Sequence, residues 1–180
     1  MAKLYTFITG PNGAGKSEFL YSLGDEASWR YDETAGLEER HLVMDETLEV
    51  VLFAAVDGSR FDRLMQVPER DLLGYIVLVD STAPETWDQA RLMMLNSRGY
   101  ALLPTVIAAN KQDLPGAHPP EEVGAALGLE SMVSVCECVA TDPMTVRGVF
   151  LQLLYSVNAE IERLDALIAE LERLAASGGE

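Results

Sequence analysis

Eight residues near the N-terminus, Gly10-Pro11-Asn12-Gly13-Ala14-Gly15-Lys16-Ser17, have the types and spacing to grip phosphate. The pattern is GxxxxGK[ST], in which glycines let successive backbone amides turn toward phosphate oxygens at the positive end of a helix. Asn12, Gly13, Ala14 and Gly15 would line that cradle. Lys16 would reach the β- and γ-phosphates, and the Ser17 hydroxyl would coordinate Mg²⁺. A second group, Asn110-Lys111-Gln112-Asp113, follows a buried apolar run. A carboxylate at Asp113 can accept hydrogen bonds from both N1–H and the 2-amino group of guanine. Adenine presents the opposite pattern and would leave a buried carboxylate unpaired. Together the two groups point to a guanine nucleotide.

Both groups need a strand end to hold them. Residues 3–9 form a β-rich run ending in Gly10-Pro11, and residues 17–23 have helical spacing, so the phosphate loop joins a strand to a helix. Residues 74–80 and 104–110 are near-continuous apolar runs, the mark of strands covered on both faces. Between them, residues 84–97 have helical spacing. Residues 41–44 and 48–56 predict a hairpin closed by Asp45-Glu46-Thr47. Residues 120–127 predict a helix, 132–139 a strand, and 145 onward a long helix. Residues 24–40 are polar, with no clean periodicity. Strands alternating with helices predict an α/β fold, a mainly parallel sheet with helices on both faces and one early hairpin.

Composition narrows the partners. The 180 residues carry 13 Lys and Arg against 29 Asp and Glu, a net charge of −16, which argues against nucleic acid or an anionic bilayer as the main partner. No run of 18 apolar residues exists to span a membrane. The N-terminus has no secretory segment, Ala2 stands where myristoylation needs glycine, and the end lacks a prenylation cysteine, so a cytoplasmic location is expected. Cys136 and Cys138 read as reduced core residues and His41 and His118 as surface or loop residues, short of a zinc set.

The phosphate loop and Asn110-Lys111-Gln112-Asp113 together resemble the Ras-like small GTPases over residues 3 to about 158. The stretch Asn110-Lys111-Gln112-Asp113-Leu114-Pro115-Gly116-Ala117 is especially similar to the Arf branch. The resemblance implies a P-loop NTPase fold, the Ras-like G domain, binding GTP and GDP with Mg²⁺ and answering to a protein effector or regulator. It gives Asn110, Lys111 and Asp113 the guanine-reading roles. Cys138-Val139-Ala140-Thr141 falls where the family touches the guanine carbonyl through a backbone amide, which brings in Val139 and Ala140. Tyr31-Asp32-Glu33-Thr34 resembles the first switch, whose threonine joins Mg²⁺ in the GTP state, so Thr34 is a metal candidate beside Ser17.

The second switch departs from the family. Aligned on Arg60-Phe61, its DxxGQ pattern has Ala54 at the aspartate, Asp57 at the glycine and Gly58 at the glutamine. Placing Asp57 at the aspartate instead leaves Arg60 where glycine is needed. No catalytic residue is assigned, and hydrolysis is expected to be slow. Arg30, Arg60 and Arg63 are surface charge or an internal arginine finger. Bacterial MglA-type and roadblock-associated GTPases also lose the aspartate, and the chain is similar to them, which implies a roadblock-type partner. Three readings stand: a slow GTPase switch, a guanine-nucleotide-binding pseudo-GTPase scaffold, and an ATPase, since GPNGAGKS also occurs in ABC transporter subunits. No LSGGQ-like stretch supports the last.

The sequence divides into a GTP-binding domain over residues 1–157 and a helical extension over 158–180. Leu154, Val157, Ile161, Leu164, Ile168, Leu171 and Ala175 are spaced alternately three and four apart, a heptad seam. From Asn158 this helix would reach about 30 Å beyond the core. Its apolar stripe needs a surface, and the expected outcomes are packing back on the domain, a partner helix, or a homodimer.

Overall fold

The strands that carry the two motifs lie two apart in the interior of one sheet. A computed structural model describes residues 1–33, 36–55, 66–128 and 133–177, apart from the side chains of Glu26 and 175–177. Its elements are β1 (Ala2–Thr9), α1 (Lys16–Ser22), β2 (Trp29–Asp32), β3 (Leu37–Val43) and β4 (Leu48–Ala55), then β5 (Leu72–Asp80) and α2 (Trp87–Tyr100). After these come β6 (Thr105–Asn110), α3 (Pro120–Ala126), β7 (Ser134–Glu137) and α4 (Pro143–Ser177). The strand order is β2-β3-β4-β1-β5-β6-β7. Strands β4, β1, β5, β6 and β7 run parallel, while β2, β3 and β4 pair antiparallel. This is the expected α/β architecture, a mainly parallel sheet with helices on both faces and a long C-terminal helix.

The apolar runs become the middle strands because both their faces are covered. On one face Ile8, Leu52, Ile76, Leu78 and Val106 pack with Phe19 and Leu20 of α1 and Val146, Val149 and Leu153 of α4. On the other, Val77, Val79, Ile107 and Ala109 lie under Trp87, Ala90 and Met94 of α2 and Val123 of α3. Each such large side chain contributes roughly 1.5–3 kcal/mol by leaving water. Cys138 is wholly buried in the first layer and Cys136 packs against it, both free thiols, as expected. Burial pushes the Cys138 thiol up to about 12, against a smaller downward pull from Thr145.

The polar stretch 24–40 holds more structure than its pattern shows. It forms β2, an exposed edge strand, and the first part of β3. The inward position in β3 is Arg40, fully buried, where the alternation should show an apolar residue. Its Nε donates to Leu20 O at 2.7 Å, and its other nitrogens donate to the carbonyls of Tyr21 and Asp25 and to Ser28 Oγ. The last turn of α1 has no basic residue of its own, so Arg40 caps those carbonyls from the sheet.

His41 is a second correction. It is neither loop nor open surface: it sits on β3 with its side chain 11% exposed between Glu49 at 2.7 Å and Glu39 at 3.1 Å. The expected hairpin turn is present, with Asp45 Oδ1 accepting from Thr47 N, Thr47 Oγ1 and Leu48 N. The expected helix over 84–97 opens as a single 3-10 turn, and α2 proper runs from Trp87 to Tyr100. Among the described residues no helix is long and apolar enough to cross a membrane.

Candidate nucleotide site

The C-terminal end of β1 delivers the glycine-rich loop, and the C-terminal end of β6 delivers Asn110, at the edge where parallel sheets place ligands. Gly10, Gly13 and Gly15 have φ of 143°, 81° and 98°, values that L side chains rarely adopt. Two of them are required by close approach as well. A Cβ on Gly10 would stand 2.3 Å from Leu78 O of β5, and one on Gly15 would stand 2.3 Å from Asn110 Nδ2.

Asn110 is the junction of the site. It is 2% exposed, its Nδ2 donates to Ala14 O at 2.8 Å, and its Oδ1 accepts from Ala140 N at 2.8 Å. One amide therefore fixes the phosphate loop, the end of β6 and the loop after β7 in a single frame. Lys16 is buried, and its Nζ donates to Gly10 O at 3.0 Å and Pro11 O at 3.2 Å, across the mouth of its own loop. Asn12 and Gly13 lie exposed at the loop's tip.

Lys111 has φ of 66°, the only positive value outside glycine among the described residues. Such a conformation costs on the order of 1–3 kcal/mol and persists when the surroundings over-determine it. Here Lys111 Nζ pairs with Asp80 Oδ2. Gln112 N donates to Cys138 O, and Gln112 Nε2 donates to Ser81 Oγ at 2.8 Å and His118 O at 2.9 Å. The turn faces Asn110 inward and leaves Asp113 exposed beside it. Burial alone would push the Asp80 carboxyl up, but donors from Lys111 and Thr82 outweigh it and hold the group below the usual carboxylate range.

These residues enclose a pocket of about 310 Å³ lined by Gly13, Gly15, Asn110, Lys111, Asp113, Val139 and Ala140. The structure thus brings together the phosphate loop and the Asp113 group as the sequence requires. Of the amides expected to meet the guanine carbonyl, Ala140 N is held by Asn110 and Val139 N donates to Thr145 Oγ1 at 3.0 Å. A second opening of about 630 Å³ shares Glu18 and Thr141 with the first, and adds Ser17, Tyr21 and Trp29. Trp29 is a wall residue that the sequence reading left inside an unassigned polar stretch. Asp80, Ser81 and Gln112 were missed as supports, since nothing local in the sequence joins β5 to the turn after β6.

The lining suits a nucleoside phosphate: the Asp113 carboxylate stands among the residues of the turn after β6, and Gly13 and Gly15 of the phosphate loop line the same pocket. Ser17, in α1 directly after the loop, is the described residue whose hydroxyl would hold Mg²⁺. Thr34 lies outside the described residues, as do Asp57, Gly58, Arg60 and Arg63. Tyr31 and Asp32, expected in a switch loop, pair with Glu38 and Leu37 as part of β2, and Arg30 is exposed on the same strand. Ala54, at the expected aspartate, pairs with Ile8 and is 1% exposed in the core.

The chain is similar to known proteins in sequence and in fold. The sequence model of the ADP-ribosylation factor family matches residues 2–157. Ras-related protein Rab-44 of Mus musculus is 26% identical over 174 residues, covering 93% of this chain and 18% of that protein. ADP-ribosylation factor-like protein 13B of Chlamydomonas reinhardtii is 26% identical over 175 residues, covering 91% of this chain and 33% of that protein. The chain thus spans about a fifth and a third of the length of these relatives. The solved Arl6 BBS3 small GTPase from Trypanosoma brucei, with bound GppNp, has the same fold at a TM-score of 0.66 and 18% identity. That likeness covers 88% of this chain and 99% of the other. The chain belongs to the ADP-ribosylation factor family of Ras-like small GTPases.

Proposed function

We propose that this chain is a guanine-nucleotide switch that hydrolyses GTP slowly, with Asp113 reading the base and residues 12–17 holding the phosphates. The observation that carries the proposal is Asn110, whose one side chain braces the loop for phosphate and the loop for base. Lys16 neutralises phosphate charge, and Ser17 holds Mg²⁺, which when bound supplies positive charge to the β- and γ-phosphates. Slow turnover follows from Ala54. A methyl group packed in the core offers no oxygen to a metal-bound water, and no glutamine stands at the aligned position 58 to orient an attacking water. A partner protein would then read the nucleotide state, through the G domain of 1–157 or the extension of 158–180. The bacterial MglA-type resemblance, and the roadblock-type partner it implies, rest on the missing aspartate. Buried free Cys138 suits a reducing cytoplasm.

The same methyl group favours a second reading, a pseudo-GTPase scaffold that binds and does not hydrolyse. Denaturing the purified protein and identifying the released nucleotide tests the binding. GDP or GTP is expected, and ATP or ADP would contradict it. Single-turnover hydrolysis of loaded GTP then separates slow switch from scaffold.

A further inference from the structure

Helix α4 changes its surroundings at Val157 without changing its pattern. Up to that point its inward side packs on the sheet through Val146, Val149 and Leu153, with Leu154 and Val157 half-buried. Ile161, Leu164, Ile168 and Leu171 continue the same three-and-four spacing and so lie on the same side of the helix. They are 46–65% exposed, and every residue from 161 to 174 is exposed. The core stripe of α4 therefore runs on past the sheet for about 25 Å.

The charges beside the stripe select what covers it. Asp165 and Glu172, seven apart, edge one side of the seam, while Leu167 edges the other. From 158 to 174 the helix has five carboxylates against two arginines. Both arginines are engaged within the helix, Arg163 with Glu160 at 2.6 Å and Arg173 with Glu170 at 2.6 Å. A second copy brings no cation to Asp165 or Glu172 in either orientation. In an antiparallel pair the two acids face their own counterparts, and in a parallel pair Asp165 faces Glu160 and Glu172 faces Leu167. The chain's charge of −16 adds a field of the same sign.

We propose that this stripe docks an amphipathic helix of another protein, one whose apolar seam is edged by lysine or arginine opposite Asp165 and Glu172. The surface is independent of the nucleotide reading. Its small extent fits a transient contact.

The test uses the full chain and two synthetic labelled helices with identical Leu and Ile seams. One has Lys at the seam edges and the other Glu, and binding is read by fluorescence anisotropy. The Lys helix is expected to bind about 10-fold tighter than the Glu helix, with the preference shrinking at high salt. Asp165→Lys with Glu172→Lys, both on the exposed helix, should reverse the preference. Leu164→Asp with Ile168→Asp should abolish binding of both. Equal binding of the two helices, binding by neither, or a preference that survives the charge reversal would overturn the proposal. So would retained binding after the seam substitutions, or a full chain that sediments as a dimer at micromolar concentration.

Discussion

Asn110 Nδ2 donates to Ala14 O at 2.8 Å, across 96 positions of sequence, and this bond makes the phosphate loop and the base-side turn one unit. Asn110→Ala removes it together with the bond from Ala140 N, leaving two buried backbone groups without their partner. We expect a stability loss of about 2–4 kcal/mol and weaker nucleotide binding, read by urea unfolding and by titration. Asn110→Asp keeps an acceptor for Ala140 but sets a carboxylate against Ala14 O, and should be at least as damaging. Unchanged affinity in a folded Asn110→Ala protein would remove Asn110 from its central place.

Lys16 separates binding from folding. Its ammonium group donates to two loop carbonyls, Gly10 O and Pro11 O. Lys16→Ala should lower affinity for nucleoside triphosphate about 100-fold or more, roughly 2.7 kcal/mol, while the unfolding midpoint moves little. Equal losses in both would mark Lys16 as a structural residue.

Turnover of loaded GTP should be no faster than about 10⁻⁴ s⁻¹ without a partner. Restoring an aspartate by Ala54→Asp should not rescue it. The position is 1% exposed among Ile8, Leu52 and Ile76, so a carboxylate there is buried and should destabilise the fold by about 3 kcal/mol or more. Several turnovers per minute in the parent protein would reveal a catalytic group outside this account.

The layered sheet was legible because its middle strands are apolar on both faces, and the phosphate loop because its glycines have a fixed spacing. The antiparallel edge was not. Arg40 fills an inward position of β3 with a buried guanidinium, so the alternation that announces a strand is broken where the strand is most enclosed. Lys111 shows a different limit. Its side chain is readable as a family signature, but its left-handed backbone depends on Asp80 and on the bonds of Gln112, which come from β5 and the loops around it.

Acid should weaken the β1–β3–β4 face. His41 and then Lys3 hold the Glu49 carboxyl below its ordinary 4.5, against the smaller upward pull of burial. With the folded value depressed, Glu49 contributes stability above the unfolded value of 4.5, and that contribution is lost as pH falls through the folded value. The stability difference between the parent and Glu49→Gln should be largest near neutral pH and vanish in strong acid. Urea titrations across that range check this. A difference that stays constant would assign the effect to packing alone.

We propose that Asp113 reads guanine from the pocket that Asn110 braces. Calorimetric titration of the parent and Asp113→Asn with GDP, XDP and ADP tests it most directly. The parent should bind GDP well above ADP, and Asp113→Asn should turn to XDP, because an amide donor then meets the xanthine carbonyl. A parent protein that binds ADP as tightly as GDP, or an Asp113→Asn variant with the parent's preference, would contradict it.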